Sequence, residues 1–251
     1  MQLLTQQHKQ ARMAKAQALR TRFCIGDQWK HVWFSDEAVF HVSSPLNRQN
    51  ERIYREVHLK MEIPNEALLV QIDKQQPSIM CYGAVSWFGK TQLFFVEGFA
   101  DGQDDVPEYR KKLKTVNQEV YRNEMCPLMF ADINRVMRRQ HWIWQQDGAK
   151  PHIARDTVAW LRNNTNEFIE PGDWPSKSPD LNVMDYFVWG TLLQYLQLRR
   201  KEVTSLHELK NVLMEAWNNI PIDVIKSATQ SWMRRLAACN MHHGDHFEHL
   251  L

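Results

Sequence analysis

Apolar residues come in short runs through the first two thirds of the chain and at helical intervals after that. Val32-Trp33-Phe34 is a consecutive apolar triplet running into Ser35 and Asp36, as a central strand covered on both faces would read. Val39 to Val42 predicts a second, separate strand. Ser78 to Trp87 and Gln92 to Val96 predict a third and a further one, joined through Phe88-Gly89-Lys90. His141 to Gln146 predicts another strand, whose pattern Asp147, Gly148, Pro151 and His152 end. Helical spacing covers residues 3 to about 22, 109 to 125 and 153 to 163, with two or three more helices between 181 and about 238. Polar or Pro/Gly-rich stretches separate these elements: Asn47 to Tyr54, entering a short strand, 101 to 105, and the loop marked by Pro171, Pro175 and Pro179. Strands followed by alternating helix and strand, then terminal helices, predict a mixed α/β fold around one sheet.

Within that pattern three acids stand out. Asp36 and Asp147 each close a predicted strand, and if the strands are neighbours the two acids emerge about 5 Å apart. Carboxyl ends of strands in open α/β sheets are where ligands collect. Asp180, after Pro179, reads as the N-cap of a helix starting near Leu181. At 100° per residue Leu181, Asp185, Val188 and Leu192 then share one stripe, which makes Asp185 a lone carboxylate on a packing face. A buried carboxylate needs a cation or strong donors. Three acids offering only oxygen suit Mg²⁺ or Mn²⁺, and two such ions about 3.5–4 Å apart suit phosphodiester chemistry. Each acid also has a plain structural use: Asp147 as a turn cap, Asp36 as a salt-bridged strand end, Asp185 as the partner of an arginine.

His152 reads equally as a residue that holds a phosphate or a water beside the metal ligands and as a helix cap. Asn182, one turn before Asp185, reads equally as a hydrogen-bonding neighbour of the site and as helix surface. Strand alternation aims Glu37 away from Asp36 and speaks against it as a ligand. Cys239, His242, His243, His246 and His249 match no common zinc spacing well.

Composition changes the picture in one place. At 251 residues, 43% hydrophobic and 24% charged, the chain suits one α/β domain, and its net charge of +2 says little. Yet residues 1 to 22 hold Lys9, Arg12, Lys15, Arg20 and Arg22 with no acid, which predicts a linker or DNA-facing arm. Further basic clusters lie at Arg110 to Lys112, Arg138-Arg139, Arg199 to Lys201 and Arg234-Arg235; each reads alternatively as solvated helix surface. Four dispersed cysteines without a C-x-x-C pair, and no apolar run near the about 20 residues of a membrane span, predict a soluble protein of a reducing compartment.

FSDEAVFHVSSPLNRQNERIY, IMCYGAVSWFGKTQLFFVEG, WIWQQDGAKPHIARDTVAWL, WPSKSPDLNVMDYFVWG and HFEHLL together resemble the catalytic domain of mariner-superfamily DDE/D transposases, from about residue 28 onward. The resemblance implies a ribonuclease H-like α/β fold with a mixed five-stranded sheet flanked by helices. It divides the chain into a basic linker helix, 1–27, and a catalytic domain, 28–251. It implies a metal triad of Asp36, Asp147 and Asp185 holding two Mg²⁺ ions, with Mn²⁺ able to substitute; Asp36 bridges both, and Asp147 and Asp185 each hold one. His152 and Asn182 are the candidate neighbours of that triad. The third acid is Asp rather than Glu, as in the all-aspartate branches. DNA is the implied partner, as transposon ends and as target, with a homodimer in the DNA complex, no membrane and a nuclear location. Paired helix-turn-helix modules precede this domain in the family, and the chain contains none. A fragment, a truncated gene or a domesticated, inactive DNA-binding protein is therefore expected beside the active enzyme, as is a stand-alone nuclease.

Overall fold

The computed structural model describes residues 3–42, 77–96, 98 and 114–251. The expectations for 47–54, for 101–105, for the first part of the 109–125 helix and for Arg110 to Lys112 lie outside the described residues.

Helix α1 (Gln6–Phe23) leads through a short turn into strand β1 (Val32–His41). The two strands expected at 32–36 and 39–42 are one. Ten residues run on without a break because β2 (Ser78–Ser86) pairs with β1 antiparallel from Phe34↔Val85 to His41↔Ser78. Asp36 therefore sits inside a strand, not at its end. The hairpin partner of β2 comes in two pieces, β3 (Gly89–Lys90) and β4 (Phe94–Val96), both pairing with β2. α2 (Gln118–Val120) passes through a π-turn, Tyr121–Met125, into α3 (Cys126–Met137).

β5 (Ile143–Gln145) pairs in parallel with β1, Val32↔Ile143 to Phe34↔Gln145. α4 (Lys150–Ile153) and α5 (Arg155–Asn164) lead to β6 (Glu167–Phe168), parallel to β5. The sheet order is β3-β2-β1-β5-β6 with β4 also on β2, so counting β3 and β4 as one interrupted strand gives five. After the proline-marked loop come a 3₁₀ turn (Pro179–Leu181), a π-turn (Met184–Val188), α6 (Trp189–Leu198), α7 (Leu206–Asn219) and α8 (Ile222–Met241).

Alternation along the strands builds two apolar layers. Val32, Phe34 and Ile143 face one core with residues of α1, α6, α7 and α8. Trp33, Trp144, Tyr82 and Ala84 face another, filled by Met129 and Ile133 of α3 and Leu161 of α5. Each fully buried Leu, Ile or Val in these layers contributes about 1.5–3 kcal/mol. Of the described residues, no helix is long and apolar enough to cross a membrane.

The first helix is no free arm. Arg12, Ala16, Leu19 and Phe23 form one buried stripe at helical spacing, packed along α8. Besides Arg12, three of its basic residues turn to the body: Lys9 pairs with Asp245, Lys15 Nζ donates to the Trp174 carbonyl at 3.0 Å, and Arg22 pairs with Glu167, while Arg20 is exposed. Charge alone made the segment look solvent-facing, because partners so distant in sequence leave no local trace.

Candidate active site

β5 stops at Gln145 while β1 continues, and this opens a notch beside Asp36. Extending the parallel register by two residues sets Asp147 level with Asp36. A cavity of about 450 Å³ lies there, lined by Asp36, Glu37, Asp147, Asn182 and Asp185, with Trp174 to Pro179 on one side.

Asp36 accepts a hydrogen bond from the Trp189 indole Nε1 at 2.7 Å. Burial, the charge of Asp185 and that of Glu37 raise its carboxyl well above the usual range, against the lowering effect of that bond. Asp185 as a whole is exposed at the cavity rim. Lost hydration on its inner side and the charge of Asp147 raise it to about 6, despite a hydrogen bond shared with Asp36. With Asp185 raising Asp36, and Asp147 raising both, these acids favour a shared proton or a cation.

The expected packing stripe through Asp185 fails in one respect. Leu181, Val188 and Leu192 are buried, but Asp185 is not among them. A π-turn from Met184 to Val188 holds extra residues per turn and breaks the 100° phase, releasing the acid to the cavity. Asp180 is likewise no N-cap. Its carboxylate takes Arg12 in a fork, Nη1 to Oδ1 at 2.9 Å and Nη2 to Oδ2 at 2.6 Å. The capping role passes to Asn182, whose Oδ1 accepts from the Met184 N–H at 3.1 Å while its Nδ2 donates to the Ser35 carbonyl, also at 3.1 Å. Asn182 is thus buried between the helix start and β1, not helix surface.

Asp147 turns to its own loop. Its Oδ1 accepts from the Ala149 N–H at 3.0 Å and from His152 Nδ1 at 2.6 Å. Burial would raise Asp147, but the bond and charge of His152 hold it below the usual range. His152 is buried; burial opposes its charge, yet Glu37 and Asp147 raise it to about 10. Its Nε2 lies 3.5 Å from Glu37 Oε1, and its ring packs tilted against Tyr121, 4.0 Å between centroids. Gln146 locks the arrangement: its Oε1 accepts from the Tyr121 hydroxyl at 2.7 Å and its Nε2 donates to the His152 carbonyl at 3.0 Å. His152 is therefore not a helix cap; it sits between two acids, Asp147 and Glu37, that favour its charged form.

Glu37 reaches the cavity although alternation aims it at the other face, because β5 no longer covers that face at its level. Trp189, four residues past Asp185 and so on the same side of the helix, is the contact that sequence reasoning missed. As the atoms stand, no three His, Cys, Asp or Glu side chains among the described residues are gathered closely enough to hold one ion. Asp36 and Asp185 meet, and Asp147 lines the same cavity while bonded to His152. The same holds at Cys239 and its following histidines, where Cys239 is a core residue.

The chain is 26% identical to the Tc3 transposable-element transposase of Caenorhabditis elegans over 235 residues, 93% of this chain and 61% of that protein. It is 23% identical to the Tcb2 transposase of Caenorhabditis briggsae over 228 residues, 90% of this chain and 74% of that one. Its homologues are Tc1/mariner transposases. No family model matches. Among solved structures, the mariner Mos1 paired-end complex with Mg superposes with a TM-score of 0.77 at 17% identity, covering 98% of this chain and 65% of that one. The Mos1 catalytic domain with Raltegravir and Mn gives 0.68 at 17% identity, covering 99% of this chain and all of that one. The fold is ribonuclease H-like, that of the Mos1 catalytic domain. The chain spans less than two thirds of the Tc3 protein's length.

Proposed function

We propose that this chain is the catalytic domain of a cut-and-paste transposase, a metal-dependent DNA phosphoryl transferase. The observation that carries this reading is the acid pair Asp36–Asp185, with Asp147 on the same cavity, at the notch where β5 ends. The donor chemistry fits a divalent cation: oxygen atoms only, with mutual charge repulsion that bound metal relieves. Asp36, Asp147 and Asp185 would hold two Mg²⁺ or Mn²⁺ ions. Bound there, such ions neutralise charge on the attacking and leaving oxygens of a phosphodiester.

The protein's own part is positioning. Trp189 fixes the Asp36 carboxylate, Asn182 ties the Asp185 helix to β1, and His152 with Gln146 holds the Asp147 loop. The reaction is hydrolysis of a DNA strand followed by attack of the freed 3′-hydroxyl on target DNA. Partners are transposon ends and target DNA, with two copies acting together on them, in the nucleus of a eukaryotic cell. Solved Mos1 complexes contain transposon ends, Mn or Mg, which supports the class of partner and cofactor.

A cleavage assay on DNA with Mn²⁺, comparing wild type with Asp147→Ala, tests the site. Loss of cleavage by about a thousand-fold or more is expected, since the barrier depends on preorganised charge; equal rates remove the assignment. Supplying a pre-cut end with a free 3′-hydroxyl then separates the readings. Joined product supports a transposase, and cleavage without joining points to a nuclease.

A further inference from the structure

The deepest charged group in the described structure lies outside the cavity and is not used by the chemistry above. Arg12, on α1, is 1% exposed and spends its guanidinium on five acceptors. Nε donates to the Gly244 carbonyl at 2.8 Å; Nη1 donates to the Lys177 carbonyl at 3.0 Å, Ser178 Oγ at 2.7 Å and Asp180 Oδ1; Nη2 donates to Asp180 Oδ2. Lys177 and Ser178 line the cavity wall. From Asp180 the connection continues two residues on to Asn182, across to the Ser35 carbonyl, and from Ser35 Oγ to the Gln145 carbonyl at 2.8 Å. Each strand reached carries or leads into a candidate acid: Asp36 follows Ser35 within β1, and Asp147 lies two residues past Gln145, the last residue of β5. Asp185 stands three residues beyond Asn182. On the far side, Arg235 of α8 donates to the Asp180 carbonyl at 3.0 Å, so the turn is gripped from two helices.

We infer that Arg12 is a positioning residue of the active site: its fork on Asp180 sets the 178–182 turn, and through Asn182 and Ser35 sets Asp185 against Asp36. A planar two-pronged donor is required here, since a single ammonium cannot meet both carboxylate oxygens and three further acceptors at once. A stretch read as an appended arm thereby becomes part of the site's scaffold. The inference rests on the transposase reading for its chemistry, and its geometric content does not.

Two variants test it in the full chain. Arg12→Lys keeps the buried charge without the fork. Arg12→Met combined with Asp180→Leu removes both charges, an exchange that buried pairs commonly tolerate. Both are expected to fold, with circular dichroism close to wild type and a lower melting temperature for Arg12→Lys. In both, hydrogen exchange across residues 178–186 should rise at least about ten-fold. Mn²⁺ affinity, read by quenching of tryptophan fluorescence, and Mn²⁺-dependent cleavage should each fall about 10–100-fold, the range for groups that orient metal ligands. Folded variants with wild-type exchange and wild-type Mn²⁺ affinity overturn the assignment. Failure of both variants to fold also overturns it, leaving the pair a stability element only. A wild type that binds Mn²⁺ but cuts no DNA overturns the transposase reading, while the exchange and affinity data still decide the role of Arg12.

Discussion

Single side chains at the notch make the sharpest predictions. Trp189→Phe keeps an aromatic ring but removes the indole donor to Asp36, so cleavage should fall about 10–100-fold with little change in melting. A rate equal to wild type would dismiss the contact. Asp185 gives a pH test. Its folded value of about 6 lies above the ordinary 3.8, so its contribution to stability is present below about pH 4 and is lost as pH rises through 6. Without metal, wild type should therefore lose more stability than Asp185→Asn between pH 4 and 7, by denaturant titration; parallel curves would show that the acid does not feel its neighbours. The sequence placed the three carboxylates near one cavity, although Asp36 lies inside its strand and Asp185 off the expected stripe. Their surroundings were not legible in it. Glu37 reaches the cavity because a neighbouring strand stops short, and Arg12 meets an acid 168 residues away. Neither fact has a local signature.

Elements were legible where one period ruled and illegible where two met. β2 and β5 appear near the expected places because apolar runs bounded by Gly, Pro or Asp leave few alternatives. α3 was missed, the expected helix ending at Met125; Pro127 stands in its first turn, where a proline is tolerated, and the π-turn before it delivers the chain at that point. The same kind of turn, at 184–188, undid the stripe through Asp185. Packing between elements is tight enough to test. A Cβ on Gly83 of β2 would stand 2.9 Å from the ring of buried Trp217 on α7, so Gly83→Ala should cost about 1–3 kcal/mol of stability. Leu192→Ala on α6 should cost about 2–5 kcal/mol, because the site is fully buried between helix and sheet. Thermal or denaturant unfolding checks both, and a change under about 0.5 kcal/mol in either would mean the layers are looser than described.

At the scale of the whole molecule, the sheet with helices on both sides was readable from the order of elements, whereas the seam joining the first helix to the last was not. That seam is close: Gly244, at a φ of +76°, lies against the Lys9 backbone, where a Cβ would fall 1.9 Å from the carbonyl oxygen. Gly244→Ala should therefore loosen the Arg12 contacts as well as strain its own backbone, and weaken Mn²⁺ binding along with stability. The seam also sets a timetable. While the ribosome is still making the chain, Phe23 and Leu19 lack the α8 side of their cover until that helix emerges, and Arg12 lacks its Asp180 partner until residue 180 does. A nascent chain halted before then would carry a partly bare apolar helix and a notch without its 178–182 turn, so the proposed site is complete only once synthesis has reached the far end of α8.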